Sequence, residues 1–197
     1  MKHKFFSLLL ISVLLIIISP EIAKGQPFKV GDKDLNFSIG LGTPWILFNN
    51  NVRTQLPFIT ASLDLGLRDD LGPGVLSIGG IVGATTYENK IYDYVWLHDY
   101  GWKGTSLIGA LRSTYHYKFI DALDTYGGIH LGLQFESWKE FGEIPNNYTE
   151  VYDTALRPVI NLFAGAKYHF SDNLFVLGEL DLGYRFSLIN VGLGLKL

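Results

Sequence analysis

From Ile189 to Leu197 every second residue is aliphatic: Ile189, Val191, Leu193, Leu195 and Leu197 share one parity, and Asn190, Gly192, Gly194 and Lys196 share the other. Successive side chains of an extended strand point to opposite faces, so this stretch carries one aliphatic face and one small or polar face. The pattern recurs where Leu35, Phe37, Ile39 and Leu41 alternate with Asn36, Ser38, Gly40 and Gly42. It recurs again with Ile59, Ala61, Leu63, Leu65 and Leu67 against Thr60, Ser62, Asp64, Gly66 and Arg68, and with Ile129, Leu131, Leu133 and Phe135 against His130, Gly132, Gln134 and Glu136. Eight such segments are predicted, near 34–43, 57–68, 75–87, 104–119, 126–138, 155–170, 174–184 and 188–197. Most approach or exceed the roughly 9–11 residues that a tilted strand needs to cross a bilayer.

The connections alternate in length. Long polar and aromatic stretches at 44–56, 88–103 and 139–154 follow the first, third and fifth segments. Short turns at 69–74, 120–125 and 171–173 follow the second, fourth and sixth, each carrying breaker residues such as Gly72-Pro73-Gly74 or Ser171-Asp172-Asn173. The last connection, Arg185 to Ser187, reads as a tight hairpin. Long loops therefore gather at one end, and short turns and both termini at the other, as in an even-stranded up-and-down barrel.

The first 25 residues read as an export signal. Lys2 and Lys4 precede an apolar run from Phe5 to Ile18, and Ala23 and Gly25 place small residues three and one before a cut ahead of Gln26. The run is shorter than the roughly 18 residues of a spanning helix. The expected organisation is a cleaved signal at 1–25, a short N-terminal periplasmic segment at 26–33, and a barrel domain at 34–197. The absence of Cys excludes a disulfide scaffold, thiolate metal sites and lipoprotein attachment. A formal charge of −3 with no basic cluster speaks against nucleic acid as a partner.

Two barrels share this strand count, and the composition of the second face separates them. A soluble ligand-binding barrel covers its outside with charge and keeps its apolar side chains within. Here the non-aliphatic parity is small, with Gly40, Gly66, Gly83, Gly132, Gly165 and Gly194 among Ser, Thr and Asn. That suits a narrow lumen, with the aliphatic parity facing lipid. Aromatic residues gather near segment ends: Tyr117, Phe119, Tyr126, Tyr168, Phe170 and Phe175 by the short turns, and Phe58, Tyr87, Trp102, Trp138 and Tyr184 by the loops. They are expected to form two interfacial girdles.

With these features the chain resembles the small eight-stranded bacterial outer-membrane β-barrels, the group that includes OmpA-, OmpX- and OmpW-like proteins. Asn190, Gly192, Leu195 and Leu197 are similar to the terminal signal that the barrel-insertion machinery recognises, with Leu197 where the group usually carries an aromatic residue. Tyr168 to Phe175 is similar to a periplasmic turn of these barrels. The resemblance implies an all-β, eight-stranded antiparallel up-and-down transmembrane barrel in the outer membrane of a Gram-negative cell, with both termini in the periplasm. It also implies contact with outer-membrane lipid and lipopolysaccharide.

Parity sends Asp64, Arg68, Arg112, His116, His130, Glu136, Arg157, Lys167, Glu179, Asp181, Arg185 and Lys196 into the lumen. Charges in so narrow a space need partners, and the expected network has Glu179 and Asp181 as an acidic centre facing Arg112 and Lys167. The same residues could line a gated path for small solutes, which is the alternative, transport reading. A soluble periplasmic ligand-binding barrel is the other alternative. Glu179 and Asp181 as an acid and base, and His169 with Ser171 as base and nucleophile, lack the supporting groups that catalysis requires. No catalytic residue, metal or cofactor is expected. Trp45, Tyr94, Trp96, Trp102 and Tyr148 are the loop residues best suited to recognising an extracellular ligand. The resulting expectation is a structural or surface-interaction barrel that presents three long loops.

Overall fold

Alternation of aliphatic and polar residues makes each segment a strand with two different faces, and closing the sheet separates those faces into inside and outside. The computed structural model describes residues 28–41, 52–93, 98–120, 122–142, 154–183 and 185–197. The strands are β1 (Lys33–Gly40), β2 (Val52–Arg68), β3 (Val75–Asp93), β4 (His98–Ile120), β5 (Leu123–Phe141), β6 (Thr154–His169), β7 (Leu174–Asp181) and β8 (Ile189–Lys196). Each pairs with the next, and β1 pairs antiparallel with β8 to close the barrel. The fold is therefore all-β, an eight-stranded antiparallel up-and-down barrel. Phe37, for example, lies opposite Ala61 on one side and Leu193 on the other. The termini meet at the short-turn end, where Leu197 N donates to Lys33 O at 2.8 Å.

The aliphatic parity faces out on every strand. Leu111, Ile160 and Leu182 are 67%, 70% and 75% exposed, while Asp34, Asp64, Ser77, His130 and Lys167 are fully enclosed. A girdle of apolar side chains around a polar interior inverts the arrangement that water favours. It is the arrangement of a barrel that crosses a bilayer by strands. Among the described residues no helix is long and apolar enough to cross.

The strands run further toward the loop end than the change in hydropathy suggests. β3 continues to Asp93 and β4 begins at His98, so most of the expected loop 88–103 is a ladder, with Tyr87 opposite Gly104 and Asn89 opposite Trp102. β2 starts at Val52 and β5 ends at Phe141. Above a bilayer a strand no longer needs an apolar face, so polarity marks the edge of the membrane band rather than the end of the strand. The last connection is wider than a tight hairpin, spanning 182–188 with Asp181 N donating to Leu188 O at 3.0 Å.

Four of the expected girdle aromatics lie inside instead. Phe58 and Phe175 are fully enclosed, and Tyr87 and Tyr126 nearly so. Each ring covers a glycine on the adjoining strand: Tyr87 over Gly104, Tyr126 over Gly165, Phe175 over Gly194 and Phe58 over Gly83. The lumenal glycines are thus recesses that seat aromatic rings, and a Cβ on Gly194 would fall 2.0 Å from Phe175. Tyr117 remains outward-facing and 44% exposed. The side chain of Phe119 and residue Tyr184 lie outside the described residues.

The segment before β1 folds back on β2 and sends one side chain, Phe28, into the barrel. Gly31 N donates to Gly66 O at 3.0 Å and Gly66 N to Asp32 O at 2.9 Å. This pairing places Phe28 in the lumen, only 4% exposed and stacked on His116 at 4.1 Å between ring centroids.

Candidate functional site

Among the described residues the buried charged side chains converge in the lumen, which is built in layers along the barrel. Nearest the termini, Lys167 Nζ from β6 donates to Asp34 Oδ2 at 2.8 Å and to Asp64 Oδ2 at 3.1 Å. His116 Nδ1 lies 2.7 Å from Asp124 Oδ2 and its Nε2 lies 3.2 Å from Ser77 Oγ. His169, also fully enclosed, packs against Phe175 with ring centroids 4.8 Å apart.

Arg112 occupies the next layer. Its Nε donates to Asp64 Oδ1 at 2.9 Å, and its Nη1 and Nη2 donate to the two oxygens of Glu179 at 3.2 and 2.7 Å. Nη1 also donates to His130 Nε2 at 2.9 Å, and the guanidinium lies 4.0 Å from the centroid of the Phe163 ring. The planar fork takes both oxygens of Glu179 in parallel while Nε holds Asp64, a bidentate fit that the point charge of a lysine ammonium does not reproduce. Asp64 is the hub, since it accepts from Arg112, Lys167 and, at 3.1 Å, Asn36 Nδ2.

Asp181 belongs to a separate arrangement. It accepts hydrogen bonds from the carboxamides of Asn161 and Asn190, and His130 Nδ1 stands 3.7 Å away. Above these polar layers Phe58, Ile81, Ile108, Val159 and Phe186 form an apolar cluster across the lumen. At the loop-end mouth Tyr87 donates to Glu136, and Arg157 and Arg185 approach the same carboxylate at 3.6 and 3.9 Å. Arg185 also donates to Gln134 Oε1, and Trp102 Nε1 donates to Glu140 Oε1 at 3.3 Å.

The expected lumen residues Asp64, Arg112, His116, His130, Lys167, Glu179 and Asp181 all lie inside and buried, and Glu136 sits at the mouth. Their pairing differs from expectation. Lys167 meets Asp34 and Asp64, not Glu179 or Asp181, and Asp181 meets amides, not a cation. Strands tilt in a closed barrel, so residues that face one another across the lumen are offset along their strands by an amount set at closure. Arg68 is outside, 53% exposed and bonded to Asp70 at 2.6 Å. A bulge between Gly66 and Arg68 reverses the alternation there. The hydrogen bond from Arg68 holds the Asp70 carboxyl below its usual range.

Asp34, Asn36 and Asn161, together with Phe28, Phe163 and Phe186, were not singled out in the sequence. Parity alone marks Asp34 and Asn36 as inward, since both share the even parity of Ser38. Of the terminal signal, Asn190 donates to Asp181, Gly192 packs close to Ser38, and Leu195 and Leu197 face outward. Ser171 Oγ accepts from Leu174 N at 3.0 Å and so closes a turn. Of the loop residues, Trp102 is half-buried at the mouth, while Trp45, Tyr94, Trp96 and Tyr148 lie outside the described residues.

An apolar exterior around an ion-paired, side-chain-filled interior defines the class as a small transmembrane β-barrel. Among solved structures the chain is similar to the N-terminal β-barrel domain of Pseudomonas aeruginosa OprF, at TM-score 0.49 and 17% identity over 86% of this chain and 98% of that one. It is also similar to Ail, the attachment invasion locus protein of Yersinia pestis, at TM-score 0.44 and 10% identity over 85% of this chain and 95% of that one. A structure of the same protein in a phospholipid bilayer nanodisc matches at TM-score 0.41 and 11% identity, over 85% and 99% of the two chains. No protein-family model matches the sequence, and no curated protein does.

Proposed function

We propose that this protein is an integral outer-membrane barrel of a Gram-negative cell with a structural or surface-interaction role, and that it carries no solute and catalyses no reaction. The observation that carries the reading is the filled lumen. Arg112, with Asp64 and Glu179, closes one level, and Phe58, Ile108, Val159 and Phe186 close the next. A water-filled path would need both levels to open. In this reading the signal at 1–25 is removed on export, the termini lie in the periplasm, and the loops face outward.

Asn190, Gly192, Leu195 and Leu197 serve the insertion machinery during assembly. Lipid and lipopolysaccharide surround the apolar band, and an extracellular ligand meets the loop end, where Trp102, Arg157 and Arg185 line the mouth.

The first test is fractionation of cells expressing the full chain, followed by electrophoresis of the detergent extract with and without boiling. Outer-membrane recovery and a heat-dependent change in mobility are expected. Release by osmotic shock without detergent would instead point to a soluble barrel. Planar-bilayer recording of the purified protein is expected to show no conductance, and stepwise currents from the native chain would overturn the closed-lumen reading.

A further inference from the structure

The enclosed charges of the lumen do not balance. Among the described residues five carboxylates are buried there, Asp34, Asp64, Asp124, Glu179 and Asp181, against two permanent cations, Arg112 and Lys167. Even a charged His116 beside Asp124 leaves two negative charges over. Ions taken out of water need a counter-charge at close range. Asp34, Asp64 and Glu179 each pair with Arg112 or Lys167, whereas Asp181 has no ion pair to either.

The groups around Asp181 point to what supplies the missing charge. Arg112 Nη1 lies 2.9 Å from His130 Nε2, and a guanidinium only donates, so Nε2 accepts and the proton of the neutral ring is on Nδ1. Stacking on Phe163 and Phe186, with centroids 4.1 and 4.7 Å away, fixes the plane of that ring. Nδ1 therefore donates, and the Asn161 carboxamide 3.2 Å from it has to offer oxygen. A half-turn of the amide exchanges its nitrogen and oxygen in place. The turn gives a donor to Asn161 Oδ1, which is otherwise buried without one, and sets that oxygen against Asp181 Oδ1. Two oxygens then meet and need a positive charge between them.

Asn190 repeats the problem on the other side. Its Oδ1 is also buried without a partner, while its nitrogen faces Asp181 Oδ2 and, at 3.4 Å, the Ser187 carbonyl. The same half-turn aims this oxygen at both. A proton on Asp181 would join it to Asn161 alone and leave Asn190 Oδ1 unmatched, whereas a cation answers every oxygen at once. A carboxylate, two carboxamides and a carbonyl from an irregular connection are the ligands of a hard cation. Among the described residues no three His, Cys, Asp or Glu side chains gather as a softer metal would require. One carboxylate in the set suits a single positive charge. Gly40 and Gly183 pack directly on the two carboxamides, and so close a space suits the smaller alkali ion.

We propose that the lumen holds one sodium ion between β6, β7 and β8, liganded by Asp181, by Asn161 and Asn190 through their Oδ1 atoms, and by the Ser187 carbonyl. His130 is a positioning residue, since it keeps the Asn161 oxygen turned inward. The ion is resident, because the apolar cluster and the Arg112 layer bar its passage along the lumen. It ties the 182–188 connection to the barrel wall and so couples closure of the β7–β8 hairpin to cation uptake.

The test is urea unfolding of the mature protein in phosphatidylcholine vesicles, followed by tryptophan fluorescence, in sodium chloride and in N-methyl-D-glucamine chloride of equal ionic strength. Sodium is expected to raise the midpoint, and at a hundred times its dissociation constant to favour the folded state about a hundredfold. Asp181→Asn, which keeps the shape and removes the charge, should lose that dependence, and Asp124→Asn should keep it. A heat-dependent gel shift shows that each variant has folded. Should Asp181→Asn fail to fold, Asn161→Leu carries the same comparison, since it removes a ligand and leaves the carboxylate.

Equal midpoints of the native protein in the two salts would overturn the site, and a proton would then hold the position. A sodium shift retained in Asp181→Asn would overturn it as well. Stabilisation by calcium chloride but not by sodium chloride would overturn the monovalent ion.

Discussion

Arg112 shows how one buried side chain organises the interior. It is 2% exposed and spans two carboxylates from β2 and β7. Removing it leaves Asp64 and Glu179 enclosed without their shared cation, and breaking a buried pair of this kind costs about 3–5 kcal/mol. Arg112→Ala is therefore expected to unfold at lower urea in lipid vesicles, followed by tryptophan fluorescence, and the added change Glu179→Gln should recover part of the loss. If Arg112→Ala unfolds with the native midpoint, the network is not what holds the lumen. The ring recesses make a second residue-scale expectation. Gly194→Ala drives a methyl against Phe175 and should cost about 1–3 kcal/mol by overpacking. Phe175→Leu in the same chain should relieve it, and a destabilisation that persists in the double variant would argue against the ring-over-glycine account. Residue types and parity made Arg112, Lys167 and Asp64 readable as interior charges. Which of them meet was not readable, because each pair joins strands 48 to 133 residues apart.

At the scale of elements, the tall wall formed by β3, β4 and β5 is the main departure from the expected outline. β4 has 23 residues, at least twice the roughly 9–11 that a crossing requires. Its upper third is held by backbone pairing to β3 and β5, from Gly101 opposite Phe141 to Gly104 opposite Trp138. Hydrogen exchange of the detergent-solubilised protein is expected to show protected amides at 87–90 and 100–104, because ladder amides open far less often than loop amides. Exchange within seconds across those residues would return them to a loop. The bulge at the end of β2 teaches a related lesson. Alternation predicted Arg68 as lumenal, yet one extra residue between Gly66 and Arg68 sent it outward to Asp70. Periodicity carries no sign of a bulge, since the inserted Leu67 is itself aliphatic and continues the pattern.

For the whole molecule, closure matters more than any single strand. Phe28 plugs the terminal end, the Arg112 layer fills the middle, and the Phe58–Phe186 cluster, with ring centroids 5.9 Å apart, seals the lumen below the loop-end mouth. These seals act in series, so Arg112→Ala alone is expected to remain non-conducting in planar bilayers, and channel currents from that variant would show that the apolar cluster does not close the path. The alternation of aliphatic and small or polar residues by itself determined the strand count, the up-and-down order, the end at which the termini lie, and the inversion that puts apolar side chains outside. It could do so because those properties follow from local periodicity and from the lengths of turns. Only the tertiary structure decided which aromatics fill the lumen, that Asp64 rather than Glu179 or Asp181 is the hub, and how far the walls rise. Those depend on strand tilt and on the offset with which β1 meets β8, and both are set jointly by eight strands when the sheet closes.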